Sequence, residues 1–309
     1  MLLTTAMAVT GPGAAASKEA GQETPITQTA GEKEESEASG AELTMLSGAG
    51  GSQMLGVVIH SEGGKTVVID GGWDDDGDQL LETIKRKGQK VDVWLITNPH
   101  SDHIGALRHI LRERADQILI DKIYYSFAPL SWYEEVAPED APTVSTLMEE
   151  LRKLPQGTLC DTIKKGFEIE AGDIHITVLN DRYALDSDPI NNSSIVYSVK
   201  AGGQTILFLG DMGYDGGYRL LKDSEELLKA DLVQMAHHGQ NGVDKPVYQA
   251  ISPRVCLWPT PQWLWDNDKG EGYDTGPWRT IETREWMQSL GVSENYCIKD
   301  GEIVLQLKE

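Results

Sequence analysis

Cysteine is scarce in this chain of 309 residues, since Cys160, Cys256 and Cys297 are widely spaced and none forms a CxxC pair. A disulfide scaffold is therefore excluded, and at most one disulfide can form with one thiol left over. No run of 18 or more apolar residues occurs, so no membrane span is predicted. Basic residues are also few: 27 Lys and Arg stand against 49 Asp and Glu, giving a formal net charge of −22. This acidic balance repels phosphate backbones and disfavours avid nucleic-acid binding.

The first 42 residues differ in composition from the rest. Met1 to Ala16 is apolar and rich in small residues, and Ala14-Ala15-Ala16-Ser17 is typical of a signal-peptidase site, although no basic segment precedes it. Residues 17–41 carry almost no large apolar side chains, which predicts a disordered polar linker. We therefore expect a signal-like segment and linker over 1–42, a folded domain over 43–309, and a secreted or cell-surface protein. The alternative is an ordinary disordered N-terminus.

Hydrophobic periodicity predicts alternating strands and helices from residue 43 onward. The apolar run 91–96 is typical of a buried strand, and the spacing of apolar residues over 104–114 predicts a helix. Residues 296–307 are predicted to close the chain as a hairpin. Strand-rich halves interrupted by helices indicate an α/β (α+β) fold in which two sheets pack face to face with helices outside, a four-layer αββα sandwich.

Histidine is also scarce, with seven in the chain, yet two of them lie in the segment Thr97-Asn98-Pro99-His100-Ser101-Asp102-His103-Ile104-Gly105. This segment joins the predicted strand to the predicted helix, so His100, Asp102 and His103 are expected on one tight turn. Zinc and similar divalent cations bind this mixture of imidazole and carboxylate ligands well. A second pair, His237-His238, follows another predicted strand.

The turn resembles the signature Thr-His-x-His-x-Asp-His-x-Gly of the metallo-β-lactamase superfamily, with Asn98 in place of the first histidine. The strand ending in Gly210-Asp211 and the segment Ala236-His237-His238-Gly239 extend the resemblance to about residues 43–309. Asn191-Asn192-Ser193-Ser194 resembles a motif of one branch, which contains the nuclease-like domain of competence DNA-uptake proteins and secreted phosphorylcholine esterases.

The resemblance implies two metal sites that share Asp211. One would use Asn98 and His100. The other would use Asp102, His103 and His237, with His238 hydrogen-bonding a substrate oxygen, or with the two histidines exchanging roles. Asp102 and His238 are the residues that it implicates directly in catalysis. Zn²⁺ is expected, with Mn²⁺ or Fe²⁺ as alternatives, and the site at Asn98 should be the weaker one because an amide oxygen is a poor zinc ligand. Alternatively, Asn98 forms hydrogen bonds behind the metal ligands, or it caps the next turn.

The function that the resemblance implies is that of a secreted metal-dependent hydrolase. It would cleave phosphodiester or phosphomonoester bonds of a small phosphorylated substrate through a metal-activated water. Two other functions stay open: a degenerate, non-catalytic domain that binds a ligand or partner, which Asn98 favours, and a nuclease of the DNA-uptake type, which the acidic charge disfavours. The sequence predicts neither the substrate nor the oligomeric state.

Overall fold

The computed structural model describes residues 40–308, so the predictions for residues 1–39 lie outside the described residues. Its strands are β1 (Ala41–Met45), β2 (Gly56–Ser61), β3 (Thr66–Asp70), β4 (Lys90–Leu95), β5 (Leu119–Tyr124), β6 (Leu159–Cys160), β7 (Glu168–Ala171), β8 (Ile174–Val178), β9 (Tyr197–Ala201), β10 (Gln204–Phe208), β11 (Leu232–Gln234), β12 (Val255–Trp258), β13 (Glu294–Cys297) and β14 (Ile303–Leu307). Its helices are α1 (Gly77–Lys85), α2 (Ser101–Glu113), α3 (Leu130–Val136), α4 (Ala141–Leu151), α5 (Pro189–Asn192), α6 (Tyr214–Ser224), α7 (Lys245–Ile251), α8 (Gln262–Trp265) and α9 (Thr280–Ser289).

The strands form two seven-stranded sheets. The first has the order β14-β1-β2-β3-β4-β5-β6, and the second has the order β13-β12-β11-β10-β9-β8-β7. Each sheet combines antiparallel hairpins with a parallel part, which is β3-β4-β5-β6 in the first sheet and β10-β11-β12-β13 in the second. The carboxyl ends of parallel strands meet at one edge of a sheet, where binding crevices commonly form.

The central strands are apolar on both faces because each face packs against apolar side chains. Along β10, Ile206 and Phe208 pack into the core between the sheets, whereas Leu207 joins a second apolar cluster with residues of α6, α7 and α9. This alternation follows from the two-residue period of a strand. Residues of α1, α2 and α4 likewise pack against the first sheet. The predicted αββα sandwich is confirmed.

The predicted closing hairpin over residues 296–307 is wrong. A short 3₁₀ turn at Ile298–Asp300, followed by Gly301 with a φ of 106°, separates β13 from β14, and the two strands join different sheets. β13 runs parallel to β12, whereas β14 runs antiparallel to β1. Pairing with β1 gives β14 a complete strand partner, so that β14 and not β1 is the edge strand of the first sheet.

Two element boundaries, and the character of the helices, bear on the sequence predictions. β1 begins at Ala41, so residues 41 and 42 belong to the sheet although the predicted domain begins at 43. α2 begins at Ser101, three residues before the predicted start, and therefore includes Asp102 and His103. Among residues 40–308, no helix combines the length and apolar character that crossing a membrane requires.

Candidate metal centre

Polar side chains collect where the parallel strands of the two sheets end. Asp70 is the last residue of β3, and the segment Thr97–His100 lies between β4 and α2, whose first turn carries Asp102 and His103. From the second sheet, Asp211 follows β10 and His238 follows β11. The close passage of α2 beside the turn after β3 depends on Gly105, because a Cβ there would lie 2.4 Å from the backbone nitrogen of Asp74.

His103 is held by Asp70, a buried residue with a left-handed φ of 54°. The Asp70 carboxylate accepts hydrogen bonds from the Thr97 backbone N–H at 2.8 Å and from the Thr97 hydroxyl at 2.6 Å. His103 Nδ1 lies 2.8 Å from the same carboxylate, to which it donates. Nδ1 therefore carries a proton, and the neutral ring has its lone pair on Nε2, which is directed away from Asp70. A carboxylate behind a histidine is the usual support of a metal-binding imidazole.

His238 is held in the same way by a backbone carbonyl. Its Nδ1 lies 3.1 Å from the Pro259 carbonyl oxygen, which can only accept, so Nδ1 donates and the neutral ring has its lone pair on Nε2. His237 and His238 both have left-handed φ values, 48° and 55°. This unusual turn is stabilised because Thr260 Oγ1 donates to the His238 carbonyl at 2.6 Å and His237 N donates to the Gly210 carbonyl at 3.0 Å. Strained backbone of this kind is often found at functional sites.

Four buried side chains offer atoms that all lie within 4.8 Å of one another: Asp102, His103, Asp211 and His238. His103 Nε2 is 3.1 Å from an Asp211 oxygen, and His238 Nε2 is 3.0 Å from an Asp102 oxygen. Yet both Nε2 atoms and Asp211 Oδ1 lack a hydrogen bond to any described residue. Ligands at about 2.1 Å from one ion in tetrahedral geometry stand about 3.4 Å apart, so the spacing fits a single cation.

The charges of this group are tightly linked. Burial lowers the pKa of His238, but Asp211 and Asp102 outweigh burial and raise this pKa to about 9. Burial also opposes a charge on His103, whose pKa is nevertheless raised well above its usual range by Asp211, Asp70 and Asp102. Burial raises the pKa of Asp211, and the neighbouring histidines then hold it well below its usual range. Protons on the imidazoles therefore balance the carboxylates, and a divalent cation can replace those protons.

The other residues named from the sequence lie beside this group. Asn98 uses both ends of its amide within the protein, because Oδ1 accepts from the His100 backbone N–H at 2.9 Å and Nδ2 donates to Ser194 Oγ at 3.3 Å. The His100 side chain is outside the four-residue group, and its Nε2 lies 3.9 Å from a carboxylate oxygen of Asp140.

His237 is also outside the group, and its Nε2 lies 3.5 Å from the amide nitrogen of Asn191. The geometry thus favours the exchanged roles, with His238 rather than His237 among the candidate ligands. The physical reason is the left-handed turn together with the Pro259 carbonyl, which orients the His238 ring toward the two carboxylates. Sequence reasoning missed Pro259 and also Asp140, because neither lies in a motif and both are distant along the chain from the histidines that they contact.

The family model of the metallo-beta-lactamase superfamily matches residues 50–246, more than half of the chain. The chain belongs to the metallo-β-lactamase superfamily. Members of this superfamily bind divalent metals such as zinc or iron, and the four-residue group is a candidate site for such an ion.

Two solved structures share the superfamily fold with this chain. The metallo-beta-lactamase fold protein YhfI from Bacillus subtilis is 13% identical with a TM-score of 0.52, over 86% of this chain and 99% of that protein. The diiron β-hydroxylase CmlA from Streptomyces venezuelae is 12% identical with a TM-score of 0.52, over 88% of this chain and 55% of CmlA. No curated protein sequence matches the chain significantly. At these identities the likeness is one of fold alone.

Proposed function

We propose that this chain is a metal-dependent hydrolase that cleaves phosphodiester or phosphomonoester bonds, with Asp102, His103, Asp211 and His238 as the metal ligands. One observation carries the proposal. Two imidazoles whose Nδ1 atoms face protein acceptors direct their Nε2 atoms toward two buried carboxylates, and the four ligand atoms lie within 4.8 Å of one another. Such a donor set suits zinc, and also manganese or iron.

A divalent cation at this position would lower the pKa of a bound water toward about 7 and polarise the scissile phosphorus–oxygen bond. Residues of the chain would orient the ligands of the cation and balance its charge. Asp70 and the Pro259 carbonyl fix the two imidazole rings, while Asp102 and Asp211 compensate the charge of the cation. In hydrolysis, the water oxygen bonds to phosphorus as the bond to the leaving-group oxygen breaks, and the proton that the water loses passes to that oxygen.

His237 is the candidate residue for a contact with the substrate. The Asn191 amide nitrogen can only donate, so His237 Nε2 accepts from it and Nδ1 carries the proton. This Nδ1 is buried and makes no hydrogen bond to the described residues. Burial lowers the pKa of His237, which favours the neutral ring. We assign the Nδ1–H as a hydrogen-bond donor to a substrate oxygen.

Two sequence features support a phosphate ester as the substrate. The segment Asn191-Asn192-Ser193-Ser194 resembles that of the phosphorylcholine esterase branch, and the net charge of −22 disfavours a nucleic-acid polymer. A small phosphorylated molecule meets both conditions. Export of the protein stays a prediction from residues 1–42.

A non-catalytic, ligand-binding domain is the second candidate. It is favoured by Asn98, whose amide makes two hydrogen bonds within the protein instead of standing free as a ligand. In that case the centre would bind a cation and an anionic ligand without turnover.

The test is hydrolysis of bis(p-nitrophenyl) phosphate and p-nitrophenyl phosphate by the full chain with added zinc, manganese or iron. His103→Ala is the inactive variant. His175→Ala is the matched control, because His175 is an exposed histidine of β8 that pairs with Glu170. We expect metal-dependent turnover in wild type and in His175→Ala, and none in His103→Ala. Metal binding without turnover of either ester would favour the binding domain, and cleavage of DNA would favour the nuclease.

A further inference from the structure

The orientation of the Asn98 amide is fixed by its neighbours. The backbone N–H of His100 can only donate, so the amide atom 2.9 Å away is the oxygen. The amide nitrogen therefore faces Ser194 Oγ, to which it donates at 3.3 Å. Asn98 and Ser194 are both buried, with exposed fractions of 1% and 0%. Turning the amide toward a cation would break both of these buried contacts.

Ser194 extends this contact to the second sheet. Its hydroxyl oxygen also accepts from the Asp211 backbone N–H at 3.2 Å. A backbone hydrogen bond of 2.9 Å from Ile195 N to the Thr97 carbonyl also joins the segment of Ser194 to that of Asn98. The packing is close, since a Cβ on Gly210 would lie 2.8 Å from the Thr97 side chain and 3.2 Å from Ser194 Oγ. Contacts with Ser194 and Thr97 therefore fix the backbone from which the Asp211 side chain extends.

The other end of the Asn98 amide acts on α2. The His100 N–H that it engages lies at the N-cap of α2, and the His100 carbonyl accepts from the His103 and Ile104 N–H groups at 3.0 and 3.1 Å. That first turn carries Asp102 and His103. One amide is thus hydrogen-bonded to the backbone that presents two of the candidate ligands, and through Ser194 to the backbone that presents a third.

We propose that Asn98 is a positioning residue of the metal centre, which acts through Ser194 on Asp211 and through the N-cap of α2 on Asp102 and His103, and is not itself a ligand. This inference rests on the proposed function, because it requires that those side chains bind a metal. Its consequence is a single tight cation for each chain. The position that the superfamily resemblance gives to Asn98 and His100 keeps only one imidazole besides the shared Asp211.

The test is a double-mutant cycle on zinc affinity, measured in the full chain by competition with a chromophoric chelator. The variants are Asn98→Ala, Ser194→Ala and the double variant. The matched control is Ser193→Ala, because the hydroxyl of this neighbouring buried serine donates to the Ile190 carbonyl, whereas that of Ser194 bonds to Asp211 N. The visible spectrum of the Co²⁺-loaded protein reports ligand geometry, and thermal melts in chelator report folding.

We expect Asn98→Ala and Ser194→Ala each to weaken zinc binding by about tenfold, the lower range for groups that support metal ligands. The double variant should lose less zinc affinity than the sum of the two single losses, because both single variants break the shared contact between Asn98 and Ser194. Both single variants should change the Co²⁺ spectrum. Ser193→Ala should change neither the affinity nor the spectrum.

Other outcomes would overturn the inference. If Asn98→Ala removes a second tight zinc and leaves the affinity of the first unchanged, Asn98 is a ligand. Additive losses would show that Asn98 and Ser194 act separately. If Asn98→Ala does not fold, the comparison of Ser194→Ala with Ser193→Ala still tests the inference. Equal zinc affinities of these two variants would overturn the inference and leave the proposed function standing. Absence of zinc binding in wild type would overturn the proposed function as well as the inference. This outcome is distinguishable from the others, in which wild type binds zinc.

Discussion

The two adjacent histidines allow a matched test of the ligand assignment. His238 belongs to the four-residue group, whereas His237 contacts Asn191 instead. Both residues have left-handed φ values, 48° and 55°, so alanine has a similar backbone cost at either position. We expect His238→Ala to weaken zinc binding strongly, and His237→Ala to leave zinc binding unchanged while slowing hydrolysis.

The expected loss follows from the number of donors. Four-ligand zinc sites bind with about 10–16 kcal/mol of apparent free energy, so one ligand contributes about 3 kcal/mol. Since about 1.4 kcal/mol corresponds to a factor of ten, His238→Ala should raise the zinc dissociation constant by on the order of 100-fold. Chelator competition measures the constant for wild type and both variants. A large loss in His237→Ala together with unchanged affinity in His238→Ala would refute our assignment of the two rings.

Four further predictions follow from the same contacts. Asp70→Asn should weaken zinc binding by about 10–100-fold, because the carboxylate that orients His103 is lost; chelator competition measures this. Gln234→Met should also weaken zinc binding, because the side-chain oxygen of Gln234 accepts from the Leu209 and Gly210 N–H groups at 2.9 Å, just before Asp211. Asp231→Asn is the control: Asp231 accepts from Thr205 N at the opposite end of β10 and β11, so this change should affect only the melting temperature. In the metal-free chain, the raised pKa of His238 stabilises the folded state fully below pH 6.5, which is the ordinary pKa of the group, and this stability is lost as the pH rises through about 9. Thermal melts should show this dependence on pH in wild type and a smaller one in His238→Ala. Removal of residues 1–39 should leave the melting temperature unchanged, since those residues carry few large apolar side chains.

Much of the fold was predictable because its signals are local. The apolar run before Thr97 and the helical spacing after His103 fix a strand and a helix with the metal-binding residue types between them. The alternation of β10 between two apolar cores is a strand property that the sequence displays directly. The closing hairpin was mispredicted because two adjacent strands separated by a short turn have the same pattern whether they pair or separate.

The candidate site was predictable in its residue types and less so in its geometry. Asp102, His103 and Asp211 follow strands, and the order of the strands brings them together. The choice between His237 and His238 depends on two left-handed backbone angles and on the Pro259 carbonyl, none of which a motif specifies. The contacts of Asn98 depend on Ser194, which lies 96 residues away along the chain. Such long-range contacts become visible only in three dimensions.

The most direct test of the account is an anomalous-diffraction experiment on crystals of the zinc-loaded protein. We predict one strong zinc peak per chain, at about 2.0–2.2 Å from Nε2 of His103, Nε2 of His238 and carboxylate oxygens of Asp102 and Asp211. Asn98 should keep its hydrogen bonds to His100 N and Ser194 Oγ. No peak among these four side chains, or a peak bound by His237 in place of His238, would contradict the account.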